Sequence, residues 1–349
     1  MNNKYTYKQT RMRKRQWQSS KVRQKGLSLV ELMIAMVIGL ILLTGILQIT
    51  VANSNNSRMH EQMSRVQEAG RFAIDILSKD IRMADFWGCA SSLSKITNNL
   101  NPAGSGYAGF EFANGVAGED GVSGGPDSIT LSGAYGTGIT IQPPYGPQAN
   151  SNVKVPADNS LEQFDIVLIS DCLAGDIFEI TNANPGGSGT VDHNTGTVAI
   201  GPGNYNPSAT CASGHCLSKV YEDDASIYSL QSLTYSIQQA AFQEPKLVRS
   251  LNGGTPVELV SGVEDMQLDY GVDTNDDEVA DFYKTATQVT AAGQWEAVIT
   301  VKVSLLIRAR ETYMDEDQTY IFNGNTFTSN DHRLRRVFTT VVTIRNRTS

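Results

Sequence analysis

Residues 32–49 form an 18-residue run without a charge, broken only by Gly39, Thr44, Gly45 and Gln48. As a helix rising about 1.5 Å per residue it extends about 27 Å, enough to cross a bilayer core. Further on, Met59, Met63, Val66, Gly70, Ala73, Leu77, Ile81 and Ala84 recur at spacings of three and four, which predicts one apolar helical stripe. The intervening Asn53-Ser54-Asn55-Asn56 is a poor helix former but contains no proline, so a single helix from about Ser28 to about Asp85 is expected. After Cys89 the texture changes to Gly, Ser, Asn and Pro with short β-type runs at 128–131 and 165–169. Residues 297–307 alternate, with Ala297, Ile299, Val301, Val303, Leu305 and Ile307 on one face, which predicts a half-buried strand. Residues 337–344 are apolar on both faces and read as a final, central strand. Residues 101–126, 182–209 and 312–331 read as loops, and no internal repeat is visible. The fold class is therefore α+β: a long N-terminal helix packed on an antiparallel β-sheet body with long loops.

Charge divides the chain. Nine of its 28 basic residues and none of its 36 acidic ones lie in residues 1–26, leaving an acidic remainder. That remainder argues against nucleic acid as a partner, because phosphate recognition needs clustered Lys and Arg. A basic run before an apolar helix keeps the run cytoplasmic and sends the C-terminal body across the membrane. The small-residue cleavage site of an ordinary secretory signal is missing after the apolar run. Instead, Lys25-Gly26-Leu27-Ser28-Leu29-Val30-Glu31-Leu32 places a glycine just ahead of the run and a carboxylate inside it. A charge at membrane depth costs roughly 2.5 kcal/mol or more, which marks Glu31 as functional. The four cysteines, Cys89, Cys172, Cys211 and Cys216, suit two disulfides in an oxidising compartment. Three pairings are open; the preferred one joins Cys211 to Cys216 in a small loop and Cys89 to Cys172 as a staple between helix end and body.

The N-terminal signal resembles the type IV pilins, whose leader is removed after a glycine by a prepilin peptidase that then methylates the new N-terminus. The resemblance implies cleavage after Gly26, methylation of Leu27 where the family usually has Phe, and Glu31 as fifth residue of the mature chain. There its carboxylate could neutralise the α-amine of a neighbouring subunit and set axial register. Five further blocks are similar to minor pilins of the PilW type: Gly70-Arg71-Phe72-Ala73; Ile81-Arg82-Met83-Ala84-Asp85-Phe86-Trp87-Gly88-Cys89; Ser170-Asp171-Cys172; Gly262-Val263-Glu264-Asp265-Met266-Gln267-Leu268-Asp269-Tyr270-Gly271-Val272-Asp273; and Arg333-Leu334-Arg335-Arg336-Val337-Phe338-Thr339-Thr340 with Ile344-Arg345-Asn346-Arg347. The resemblance implies a pilin-like fold divided into a cleaved leader (1–26), a membrane or filament-core helix (27–52), an amphipathic half-helix (53–88) and a periplasmic body (89–349). Implied partners are other minor pilins, the major pilin, prepilin peptidase and an inner-membrane assembly platform. The implied setting is the inner membrane before assembly and the pilus afterwards, with a role in priming assembly near the tip. A J-type pseudopilin of a type II secretion system and a tip adhesin are the alternatives.

Two other motifs have the chemistry of sites. Asp273, Asn275, Asp277 and Asp281 stand at relative positions 1, 3, 5 and 9, as oxygen ligands do in a calcium loop. The usual glycine of such a loop is Glu278 and its bidentate carboxylate is Lys284, so an acidic turn between two strands competes with the calcium reading. Cys211-Ala212-Ser213-Gly214-His215-Cys216 invites zinc, but adjacent His215 and Cys216 cannot readily face one metal, which favours the disulfide. His60, His193 and His332 read as scattered and exposed. No nucleophile or phosphate-loop context is recognisable, so neither enzymatic activity nor a required cofactor is expected.

Overall fold

The computed structural model describes residues 26, 28–90, 93–107, 114–195, 201–205, 215–240, 243–312, 314 and 316–348. The chain divides into two compact units, the second being Ser57–Ser349, and the division falls inside helix α1 (Leu29–Met83). The Asn-rich segment does not interrupt α1: Asn and Ser each cost at most about 0.7 kcal/mol relative to Ala, and no proline breaks the hydrogen-bond ladder.

Before the division, every large apolar side chain from Leu29 to Val51 is more than half exposed. The mean hydropathy over its most apolar window is 2.6, and none of that window is buried within the protein. An apolar surface on all sides of a helix requires lipid or other helices around it. This helix is long and apolar enough to cross a membrane.

In the second unit α1 buries Gln62, Val66, Gly70, Ala73, Leu77 and Ile81, one stripe at helical spacing. The stripe begins later than the sequence suggests: Met59 is exposed, and Met63 is only partly covered. The strands, in chain order, are β1 (Ile96–Asn98), β2 (Val116–Glu119), β3 (Ser128–Thr140), β4 (Val153–Lys154), β5 (Ile166–Ser170), β6 (Gly175–Glu179), β7 (Thr190–Val191), β8 (Ser226–Gln238), β9 (Lys246–Leu251), β10 (Val257–Ser261), β11 (Val263–Val272), β12 (Phe282–Lys284), β13 (Val298–Arg308), β14 (Thr319–Phe322), β15 (Asn325–Thr328) and β16 (Arg335–Thr343). One sheet runs β1-β6-β5-β8-β3-β2, with β9 also on β8 and β10 on β9. The second runs β12-β11-β13-β16 and is antiparallel throughout. The pairing of β1 with β6 is parallel; the other ladders of the larger sheet are antiparallel.

The α1 stripe lies in a single core with the inner faces of both sheets, including Leu131, Tyr235, Met266, Leu268, Val301, Val303, Leu305 and Val342. Gly70 is the point of closest approach. A Cβ there would lie 2.3 Å from the Phe338 ring of β16, so the ring occupies the space a side chain would need. At the end of α1, Asp85 adopts the left-handed region with φ 62°. Its carboxylate accepts from Arg347 Nε at 2.5 Å and Trp87 Nε1 at 2.6 Å. Asn346 Nδ2 donates to Ala84 O at 2.9 Å and Met83 O at 3.3 Å, capping carbonyls that the ending helix leaves open. Arg347 also donates to Val298 O at 2.8 Å and to Trp295 O. The C-terminal residues thus tie the helix end to β13.

Several local expectations are corrected. The strand starting at Ser128 continues to Thr140, because its register against β8 shifts between Tyr135 and Ile139 and then resumes. The last strand, β16, is an edge strand and not a central one: its even-numbered residues face α1, while Val341 on the other face is half exposed. The span 101–126 contains β2, 182–209 contains the short helix α2 (Pro185–Ser188) and β7, and 312–331 contains the β14–β15 hairpin. The hairpin turns on Asn323-Gly324, both at positive φ, the residue pair that a two-residue turn of this kind demands.

Gly70→Ala is expected to destabilise the body by about 1–3 kcal/mol through overpacking against Phe338. Urea unfolding of the detergent-solubilised chain, with Phe338→Leu added to Gly70→Ala as the relieving partner, checks this; an unchanged midpoint for Gly70→Ala would contradict the packing.

Candidate functional site

The apolar helix begins with a reciprocal cap. Ser28 Oγ accepts from Glu31 N–H at 3.2 Å, Glu31 Oε2 accepts from Ser28 N–H at 3.0 Å, and Ser28 O accepts from Leu32 N–H at 3.1 Å. This capping box satisfies two donors that a helix start leaves open and sets the carboxylate at the positive end of the helix dipole. The signal is present in the sequence, since Ser28-x-x-Glu31 before an apolar run is the capping-box pattern, and reading Glu31 only as a membrane charge passes over it. Glu31 Oε1 has no hydrogen bond to a described residue. Gly26 precedes the cap with nothing within 4 Å of where a Cβ would be; Leu27 lies outside the described residues.

At the other end of α1, Cys89 and Cys172 are disulfide-bonded, with Cα atoms 4.4 Å apart and 83 residues of separation. Cys216 is also disulfide-bonded, and the expected partner Cys211 lies outside the described residues. Beside the first disulfide, Asp171 is fully buried and accepts from Lys219 Nζ at 2.5 Å and from the N–H groups of Leu173 and Ala174. Burial pushes this carboxyl up, but the Lys219 ammonium and the two N–H donors outweigh it and hold it below the usual range.

Asp273, Asn275, Asp277 and Asp281 share the turn between β11 and β12. Asp273 accepts from the N–H groups of Asn275 (3.0 Å), Asp276 (2.8 Å) and Glu278 (2.8 Å). Asp281 Oδ2 accepts from Thr274 N–H and Oγ1, and Asp277 Oδ1 from Val279 N–H. The acidic side chains therefore satisfy the backbone of their own turn. No group of three or more His, Cys, Asp or Glu converges as a metal site among the described residues.

His193 overturns its expected exposure. It is 3% exposed, its ring meets Phe178 edge-on, and its Nδ1 lies 2.8 Å from Nδ1 of the equally buried His215. His193 Nε2 lies 3.0 Å from Ser151 O, which can only accept, so Nε2 carries the proton and Nδ1 accepts from His215. The remaining His215 Nε2 is buried and has no partner among the described residues. Burial, reinforced by the neighbouring His193, pushes His215 down to about 4; burial likewise lowers His193. Nothing in the spacing of single histidines announces such a pair, which long-range folding alone creates. Nearby, buried Asp176 accepts from Asn99 Nδ2, Ser218 N–H and Oγ, and Tyr221 OH, fixing the 215–221 segment to β6.

With these arrangements in place, the chain can be compared with known families. Residues 234–346 match the model of type IV pilus-assembly protein W, the PilW family. Residues 21–47 match the prokaryotic N-terminal methylation motif. No curated protein and no solved structure matches the chain. The PilW match takes in the whole four-stranded sheet together with β9 and β10, and so the blocks 262–273 and 333–340. The methylation-motif match takes in Gly26, the capping box and the apolar start of α1. The blocks 70–73, 81–89 and 170–172 lie outside both. Together the two matches support a type IV pilus minor pilin, a structural protein that works with other pilus components.

Ser28→Ala should loosen the first turn of α1, at a cost of about 1 kcal/mol, and speed amide exchange at residues 28–32 in micelles. The histidine pair carries a pH dependence. Unfolded His residues take up protons near 6.5, whereas burial holds His215 down to about 4 and lowers His193 as well. The unfolded state therefore binds more protons in this window, and stability falls as pH drops from about 6.5 toward 4. Urea midpoints at pH 7 and pH 4.5 should differ less in His215→Gln than in the unaltered chain.

Proposed function

We propose that this chain is a prepilin cleaved after Gly26 and methylated on Leu27, and that the mature protein joins other minor pilins in priming type IV pilus assembly near the tip. The supporting observation is the apolar half of α1, unburied on every side, preceded directly by Gly26 and Ser28 and carrying Glu31 in its first turn. Such a helix can rest in lipid and move, with little change of surroundings, into a bundle of like helices. Cleavage would leave the new α-amine one residue ahead of the capped Ser28. Glu31 then has two roles open to it: Oε2 on the Ser28 N–H, and Oε1 for the amine of a neighbouring subunit. A carboxylate paired in this way fixes axial register, because an unpaired charge among apolar helices is strongly unfavourable. In this reading prepilin peptidase and the inner-membrane assembly platform act on the N-terminal segment, while the body stands on the periplasmic side and reaches the cell surface within the filament.

The test is the intact mass and N-terminal sequence of the chain recovered from membranes and from sheared filaments. A chain starting at methylated Leu27 in both fractions is expected; one that keeps residues 1–26, or stays in membranes while filaments are plentiful, would refute the proposal. Glu31→Ala should still insert and be cleaved but enter filaments at least tenfold less, and ordinary incorporation of that variant would remove the register role.

A further inference from the structure

The ladder between β13 and β16 is fixed at its ends by Ile344 N–H donating to Ile299 O at 2.9 Å and Ala309 N–H donating to Leu334 O at 2.7 Å. Both bonds use even-numbered residues of the β16 segment. In an antiparallel pair the bonded positions alternate, so the N–H and C=O groups of odd-numbered residues point away from β13. Among the described residues no strand lies on that side, since β16 ends its sheet.

At Arg335 the outward groups are satisfied by a side chain. Gln318 Nε2 donates to Arg335 O at 2.8 Å, and Gln318 Oε1 accepts from Arg335 N–H at 2.6 Å. This is the reciprocal pair that a further strand would make at that residue. Beyond it, Val337, Thr339, Val341 and Thr343 have no backbone partner on that side among the described residues. The run Val337-Phe338-Thr339-Thr340-Val341-Val342-Thr343 is wholly β-branched or aromatic, without proline, glycine or lysine. Proteins usually protect such an edge with charges, proline or a bulge, and β16 has no bulge in its register.

Charge indicates which partner fits there. Residues 333–349 contain five arginines and no acid within an otherwise acidic body. Arg335 is bound by Glu264 and Asp331, and Arg347 by Asp85. Arg336 and Arg345, both exposed, bracket the open stretch and form no ion pair with a described residue. Nine residues apart along the chain, they stand about 30 Å apart at strand rise. A second copy of β16 would bring no carboxylate to Arg336 or Arg345, since residues 333–349 contain no acid.

We infer that β16 accepts a fifth strand from a different polypeptide, an extended segment with β-branched residues at its centre and a carboxylate side chain at each end. Main-chain pairing to residues 337–343 supplies the attachment, and Arg336 and Arg345 select the acidic ends. Such pairing does not depend on the pilin reading.

The test uses the full chain in detergent micelles and two synthetic probes, acetyl-Glu-Val-Thr-Val-Thr-Val-Thr-Val-Thr-Glu-amide, whose end carboxylates are nine residues apart like Arg336 and Arg345, and the same peptide with Lys at both ends. The acidic peptide should slow exchange of the Val337, Thr339, Val341 and Thr343 amides at least tenfold and bind at least tenfold more tightly than the Lys-ended one. Thr339→Pro removes an outward N–H without touching the ladder to β13, which an edge strand tolerates, and should abolish the slowing. Arg336→Glu combined with Arg345→Glu, on the intact strand, should reverse the preference between the peptides. Exchange unmoved by either peptide, or equal binding of both, would overturn the inference. So would slow exchange in the isolated chain together with a dimeric mass in sedimentation, since a second copy would then hold the edge.

Discussion

The body depends on one contact surface, the stripe Val66, Gly70, Ala73, Leu77 and Ile81 pressed between two sheets. Burying a Val, Leu or Ile side chain is worth about 1.5–3 kcal/mol, so three of these positions supply most of the local driving force. The small residues decide the distance instead. Gly70 in a helix interior costs about 1 kcal/mol relative to Ala, yet it admits the Phe338 ring, and Ala73 continues the same shallow groove. Helix and sheet are then locked at the distal end, where Asp85, Asn346 and Arg347 close the helix terminus. The Cys89–Cys172 disulfide holds the following turn to the loop after β5.

This surface explains why the stretch matching the PilW family lies where it does. Among the three hydrophobic cores of the described residues, the one that includes the α1 stripe draws on β9, β11, β13 and β16, all within residues 234–346, as well as on β2, β3 and β8. The other two contain no residue of α1, and they are built largely from the region 87–233. That region is organised by a different means: the acceptor Asp176, the Asp171–Lys219 pair and the buried histidines. A hydrogen-bonded interior of this kind tolerates no partial change, because each unpaired group would carry a desolvation penalty.

The helix is readable in the sequence because its signal is long and periodic: the charge-free run, the stripe and the lack of proline all point the same way. Strands β5 and β13 are readable for the same reason, one as a continuous apolar run and the other as strict alternation. β16 is recognisable as a strand but not in its place. Apolar residues on both faces suggest a central position, whereas here they mark an edge whose outer face is partly open. The β14–β15 hairpin is written in the sequence too, since Thr319-Tyr320-Ile321-Phe322 is a β-type run and Asn323-Gly324 states the turn, and reading 312–331 as a loop passes over both signals. At the candidate site, Gly26 and Glu31 stand out by residue type and position. Their relation to Ser28, like the meeting of His193 and His215, depends on hydrogen bonds that residue types alone do not reveal.

A polar side chain can complete an edge, and the two ends of β16 differ in whether one does. Gln318 reaches Arg335 only because the β14–β15 hairpin, pinned by Asn323 to Gln267 at 3.2 Å and by Arg335 over the Tyr320 ring, lies beside the start of the strand. The hairpin is short, so its influence ends there, and the next four outward residues have no main-chain partner among the described residues. A longer hairpin or a lysine on the strand would have closed the edge at little cost to the core, since neither touches the even-numbered residues that meet α1. The fold thus keeps apart the face of β16 that holds the helix and the edge that faces outward, except at Arg336, whose Nη1 lies 3.6 Å from Met63 Sδ of α1.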